Sequence, residues 1–310
     1  MLICDTHADT LWAMQSPRRD PNAPLDVTYE HLRRSADVRV QTLALFVPTG
    51  GMEQRPNVVE RELQMLARLK AQGFRQITRL EEAVADAPNV LLSVEGGEAF
   101  GGDPAEVDRL AGLGVRMAAL VWNNENGLAV PAVRSDDGGL TALGRQMVAR
   151  MRRARMALDV SHLNRAGFWE VLDGQAPPLA SHSCAYALCP HPRNLDDGQL
   201  RALFDAGGFV GVNFYPAFLS PDARADLDTV ARHIAHMCEL GGEGHVGLGS
   251  DFDGIDAHPL GLNNAGDVPA LLAHLEKRGF GRRLVQDVAG RNFERYLQRL
   301  DACQGPKAGV

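Results

Sequence analysis

Lysine is almost missing from this 310-residue chain. Only Lys70, Lys277 and Lys307 are lysines, and the other 29 basic residues are arginines. Any chemistry that needs a lysine amine is therefore confined to three positions. Cysteine is also sparse. Cys4, Cys184, Cys189, Cys238 and Cys303 are odd in number and scattered, which is not the pattern of a disulfide framework. Positive charge is not in excess: the formal net charge is −7 with no basic block, which disfavours nucleic acid as a partner. No run of about 18 apolar residues occurs, so no membrane span is expected. The first residues, Met1-Leu2-Ile3-Cys4-Asp5, lack the basic and apolar regions of a secretory signal, and a cytoplasmic location is the expectation. Internal repeats and low-complexity stretches are lacking too.

What is present is ordinary globular composition, 45% hydrophobic and 23% charged, at a length that suits one large barrel or two small domains. Short apolar, β-branched runs alternate with segments of helical spacing. Eight strands are predicted: Leu2–Thr6, Val38–Phe46, Val90–Val94, Val115–Val121, Met156–Val160, Pro178–Ser181, Phe209–Asn213 and His245–Gly249. Helices are predicted between most of them, among them Val58–Ala71, Leu140–Ala154, Arg165–Leu172 and Leu227–Leu240, and others close the chain at Val268–Arg278, Arg282–Val288 and Arg291–Leu300. Alternation of this kind implies a parallel sheet, and near-continuous apolar strands suit burial on both faces. Eight strands favour an α/β fold of the closed (β/α)8 TIM barrel kind, as a single domain over residues 1–310 with C-terminal helices. A doubly wound sheet is the competitor, but it usually places a glycine-rich turn after its first strand. Here that strand runs into Asp5-Thr6-His7-Ala8-Asp9.

The strand ends carry the chemistry. The first ends in His7-Ala8-Asp9, the third in Glu95-Gly96-Gly97, the fifth in Ser161-His162, the sixth in Ser181-His182 and the eighth in Ser250-Asp251. Singly, each is readily a capped turn or a solvated side chain. Together they deliver imidazoles and carboxylates to the rim where barrel active sites gather, and that is the ligand set of zinc and related divalent ions. Five ligands exceed the three protein ligands of a one-zinc catalytic site. Two ions explain the surplus if one carboxylate bridges them. Glu95, with two glycines behind it, is the natural bridge, and Asp251 is then spare to move a proton. Asp253, before Gly254, reads as a turn former.

The lysine count now decides something. Many two-metal barrel hydrolases bridge their ions with a carboxylated lysine at the end of the fourth strand. Here that strand ends in Val121-Trp122-Asn123-Asn124, so a glutamate bridge is required instead.

In these motifs the chain resembles the renal (membrane) dipeptidase family, zinc dipeptidases of the amidohydrolase superfamily. The matching segments, in family order, are Asp5-Thr6-His7-Ala8-Asp9, Val94-Glu95-Gly96-Gly97, Asp159-Val160-Ser161-His162 and Ser181-His182-Ser183. They continue with Arg193-Asn194-Leu195-Asp196-Asp197, Asn213-Phe214-Tyr215, Gly249-Ser250-Asp251-Phe252-Asp253-Gly254 and Gly290-Arg291-Asn292-Phe293. The resemblance implies two Zn2+ or similar ions, one held by His7, Asp9 and Glu95 and one by Glu95, His162 and His182. It implies Asp251 as proton shuttle and Arg193 as the grip on a dipeptide's free carboxylate, a task that suits a planar, always-charged fork. The implied activity is hydrolysis of L,L and L,D dipeptides, and a homodimer is consistent with the family.

One position departs from the family. Where members carry a histidine that polarises the scissile carbonyl, this chain has Trp122. An indole N–H donates a hydrogen bond but carries no proton in exchange. Asn123 and Asn124 are alternative donors. The departure keeps open a related amidohydrolase acting on another amide, lactam or ester, and a non-catalytic metal-binding barrel. His191 beside Arg193 is read as a solvated loop residue with facing the site as the alternative, the helical His233, His236 and His274 as surface or packing residues, Cys184 and Cys189 as small buried residues, and Trp12 as either a pocket wall or core filler.

Overall fold

The computed structural model describes residues 1–303 apart from 17, 18, 21, 48–54 and 173–175; Lys307 lies outside them. All eight predicted strands form, with ends shifted by no more than two residues. They are β1 (Leu2–Asp5), β2 (Val38–Phe46), β3 (Asn89–Glu95), β4 (Val115–Ala119), β5 (Ala157–Asp159), β6 (Leu179–Ser183), β7 (Phe209–Val212) and β8 (Val246–Leu248). Each pairs in parallel with its neighbours in sequence. β1 pairs with both β2 and β8, which closes the ring. The fold is therefore a (β/α)8 barrel. A two-residue strand, Arg75–Gln76, adds to the start of β3.

Helices cross between strands where the spacing predicts them, for example Arg55–Ala71, Ala142–Arg153, Arg165–Val171 and Leu227–Glu239. Several begin on side-chain caps. Thr141, Asn164, Asp196 and Asp226 each accept a backbone N–H from the first turn, and the last two form reciprocal capping boxes with Gln199 and Thr229. Such caps satisfy donors that a helix start leaves orphaned. Lys70 and Lys277 lie in helices, away from the strand ends. Among the described residues, no helix is long and apolar enough to cross a membrane.

The barrel interior is layered. Cys4, Val40, Leu91, Met117, Ala157, Leu179 and Phe209, one from each of the first seven strands, join a single apolar cluster with Phe293 and Tyr296 of the closing helix Asn292–Ala302. That helix plugs the lower end. Two residues further along each strand, on the same face, stand Thr6, Thr42, Ser93, Ala119, Asp159, Ser181 and Gly211. Apart from the carboxylate Asp159, these are small or hydroxylated. Thr6 reaches into the interior, its single hydroxyl hydrogen shared between the carbonyls of Ser181 (2.5 Å) and Leu248 (2.9 Å). An apolar floor under a small polar layer leaves the upper rim for the reactive side chains.

Candidate metal centre

His7 and Asp9 follow β1. Between them Ala8 pairs with Phe252 of the segment after β8, which holds the backbone extended so that the two side chains share one side. The Asp251 N–H donates to the His7 carbonyl at 3.2 Å, tying the first and last strand ends together. Glu95 closes β3. Behind it Gly96 has φ of +86°, and a side chain on Gly97 would collide with the Leu120 carbonyl and Leu128. Glycine there lets the β3 and β4 loops touch, as the Glu-Gly-Gly reading anticipates.

Every rim residue singled out in the sequence arrives at one place. His162 Nε2 stands 2.8 Å from Glu95 Oε1 and 3.0 Å from His182 Nε2, and His182 Nε2 is 3.5 Å from the same oxygen. His7 Nε2 is 3.5 Å from Asp9 Oδ2, 3.7 Å from Glu95 Oε2 and 3.7 Å from Asp251 Oδ1. Three sets have their ligand atoms within 4.8 Å of one another: His7, Asp9 and Glu95; Glu95, His162 and His182; and His7, His182 and Asp251. Glu95 is common to the first two, one oxygen toward each.

The electrostatics suit a cation. Burial raises the Asp9 carboxyl, and the charge of Glu95 adds to it, bringing it to about 8. Burial would raise Glu95 as well, but His7, His162 and His182 hold it well below the usual carboxylate range. Burial lowers His162 to about 4 and takes His182 well below the ordinary imidazole value; both stay neutral, the form that binds metal. At His7 burial is outweighed by Glu95 and Asp9, so its affinity for a proton rises. Positive charge is thus favoured between His7, Asp9 and Glu95. Neither nitrogen of His7, nor Oδ1 of Asp9, has a hydrogen-bond partner among the described residues. The donor set and these orphaned buried atoms fit divalent ions.

A cavity of about 560 Å³ opens over the cluster, lined by Asp9, Glu95, His162, Arg193 and Asp251, with Trp12, Phe46 and Trp122 along one wall. Trp12 is therefore a pocket wall. Trp122 meets Phe46 edge-on at 5.1 Å. Arg193 is 3% exposed, and none of its three guanidinium nitrogens has a partner among the described residues. Burial lowers it to about 10, with Asp251 and Glu95 working the other way, so it stays charged. Phe218 lies under it at 5.5 Å, a cation–π arrangement. His191 is not merely solvated: its Nδ1 accepts the Arg193 N–H at 3.1 Å.

Several contributors carry little sequence signal. Asn213, at the end of β7, donates from Nδ2 to Asp251 Oδ2 at 2.9 Å; its motif was visible but not its role. His233 is not a surface residue. It is 1% exposed, accepts the Ala185 N–H at 3.1 Å and contacts the Leu219 carbonyl at 2.9 Å, bracing the loop after His182. Glu62, fully buried in a helix, accepts the Phe46 N–H at 3.2 Å. By contrast His236 and His274 make surface pairs with Asp197 and Asp228, and Cys184 and Cys189 are buried free thiols. Asp253 does form a turn, at φ +65°, and its buried carboxylate also accepts from Thr10 and the Asp26 and Val27 N–H groups.

A family model described as membrane dipeptidase (peptidase family M19) matches residues 1–307. An uncharacterized protein in the pqqA 5' region of Klebsiella pneumoniae is 39% identical over 222 residues, 68% of this chain and 82% of that protein. An uncharacterized dipeptidase of Schizosaccharomyces pombe is 40% identical over 210 residues, 66% of this chain and 51% of the relative. The chain thus spans about half the length of that fungal protein. A metallopeptidase from Rhodobacter sphaeroides, crystallised with a phosphinate mimic of the dipeptide L-Ala-D-Ala, has a TM-score of 0.88 at 27% identity, covering 97% of this chain and 99% of that one. Sequence and fold agree over nearly the whole length, and the chain belongs to the membrane dipeptidase family, peptidase family M19, whose members are metal-dependent hydrolases.

Proposed function

We propose that this protein is a binuclear zinc dipeptidase, with its site in one barrel domain over residues 1–310. His7, Asp9 and Glu95 would hold one ion and Glu95, His162 and His182 the other, with Glu95 between them. The observation that carries the reading is Arg193, a buried guanidinium with no hydrogen-bond partner among the described residues that lines the same cavity as Glu95. Such a group suits the free carboxylate of a short peptide and limits substrate length, because a longer chain has an amide in that place. The Rhodobacter relative's ligand mimics the L,D dipeptide L-Ala-D-Ala, which supports L,D as well as the ordinary L,L dipeptides as substrates to be tested here.

Bound divalent ions would supply Lewis acidity at the scissile carbonyl and a water acidic enough to attack it near neutral pH. The chain's own residues do the rest. Arg193 holds the substrate carboxylate. Asn213 engages Oδ2 of Asp251, which leaves Oδ1 to take the proton of the attacking water. As the C–O bond forms and the C–N bond breaks, Asp251 passes that proton to the leaving amine. The aromatic wall excludes water from one side.

The test is zinc-reconstituted protein with its metal counted, assayed on L,L and L,D dipeptides, N-acyl amino acids and lactones. Two ions per chain and dipeptide turnover are expected. In Asp251→Asn, turnover should fall by about 10²–10⁴ with metal content unchanged. Less than one ion per chain would sink the binuclear reading. Activity confined to substrates without a free amine would favour the second reading, an amidohydrolase of another amide, lactam or ester, which Trp122 in the cavity wall motivates.

A further inference from the structure

The turn after β4 holds Trp122, Asn123 and Asn124, and the structure separates their tasks. Trp122 is committed to the wall through its edge-on contact with Phe46. Asn124 is tied to Arg134, whose Nη2 donates to its Oδ1 at 2.8 Å. The same arginine donates from Nε to the Asn123 carbonyl at 3.1 Å, so the turn is clamped from outside. That leaves the Asn123 side chain facing inward. It lines the cavity with Glu95, His162 and Asp251, and its Oδ1 lies 3.1 Å from His162 Nδ1.

An amide oxygen only accepts. With Oδ1 toward the ring, His162 carries its proton on Nδ1, and its Nε2 lone pair points to Glu95 and His182. The reverse orientation, NH2 toward the ring, would put the proton on Nε2 and prevent ligation. Outer partners of this kind fix the tautomer and ring direction of ligating histidines. The same amide retains an NH2 group on a residue that lines the cavity, at the position following the one where the family's carbonyl-polarising histidine is lost.

We propose that Asn123 does two jobs with one side chain: its oxygen positions His162 for metal, and its NH2, rather than the wall residue Trp122, supplies the hydrogen bond to the scissile carbonyl. The second job rests on the dipeptidase reading above; the first does not.

Asn123→Ala and Asn123→Asp separate the two. Aspartate keeps an acceptor for His162 Nδ1–H and loses the donor. Zinc affinity is read by chelator competition on the full chain, and kcat and KM are read at saturating zinc. Asn123→Ala should weaken the less tightly held ion by roughly 10–100-fold, while Asn123→Asp binds zinc at least as tightly as the parent. Both should lose about 10²–10³ in kcat with little change in KM. Parental zinc affinity in Asn123→Ala, or loss of zinc in Asn123→Asp, overturns the positioning role. Parental kcat in zinc-loaded Asn123→Asp overturns the donor role. If the parent protein hydrolyses no dipeptide, the proposed function falls and takes the donor role with it, while the zinc titrations still decide the positioning role.

Discussion

The hydroxyl of Ser181 stands 2.7 Å from Nδ1 of His182, while it donates its own hydrogen to Oδ2 of Asp159. Asp159 also accepts the N–H groups of Ser161 and Ser181, each at 3.0 Å. A carboxylate buried at the end of β5 thus orients a hydroxyl, and the hydroxyl orients an imidazole on β6. Ser181→Ala should leave the fold intact but free the His182 ring. A loss in zinc affinity of roughly tenfold or more is expected, measured by competition with a chromogenic chelator. Unchanged affinity would show that packing alone holds the ring.

Gly254 packs against the carboxylates of Asp9 and Asp251, and a β-carbon there would overlap Asp9 Oδ2. Gly254→Ala should therefore push Asp9 off its position. The metal count by atomic absorption should fall toward one per chain, with the circular dichroism spectrum unchanged. Full loading of the variant would show that the 254 turn moves instead.

Arg193→Lys keeps the charge but loses the two-pronged contact. For dipeptides KM should rise by about 10–100-fold, the worth of one charge-assisted hydrogen bond. Dipeptide amides, which lack the carboxylate, should be poor substrates of both proteins to a similar degree. An equal KM rise for the amides would remove Arg193 from carboxylate binding.

Burial lowers His233 to about 4, with the Leu219 carbonyl contact opposing it. The unfolded chain takes up this proton near pH 6.5 and the folded chain only near pH 4. Between those values the unfolded state binds more protons, so stability falls as pH drops through the window. The loss is on the order of 3 kcal/mol at its limit. His233→Gln, which can still accept from Ala185 and donate to Leu219, should show a smaller drop in urea midpoint between pH 7 and 4.5. Equal drops in both proteins would assign the acid sensitivity elsewhere.

The barrel was legible because its strands are short, apolar and separated by helical spacing, and period is a local property. Val38–Phe46 is predicted and observed with identical bounds, and the helix predicted over Leu227–Leu240 is observed over Leu227–Glu239. Other elements were not legible. The helix Tyr29–Ser35 and the short Thr10–Ala13 and Pro216–Leu219 turns are too brief to show a period. The predicted helix Arg282–Val288 runs through a wide turn at Asp287–Arg291 into the next one. There Gly290 sits against the backbone of β1, and that contact lies nearly the whole chain away in sequence.

The sequence by itself determined which side chains reach the rim: a strand end places its residues at the mouth, and His7, Asp9, Glu95, His162, His182 and Asp251 each stand at or just beyond the end of a strand. The scarcity of lysine leaves a glutamate as the bridge in the proposed two-metal reading. Only the tertiary structure decided the partners. Asn123 with His162, Ser181 with Asp159, Asn213 with Asp251 and His233 with Ala185 are pairs between different strands and loops. Their distances are set by closure of the ring, which no local pattern encodes. Burial was likewise a tertiary outcome. Helical spacing left His233 open between a surface and a packing role, and burial under the neighbouring loops decided for packing.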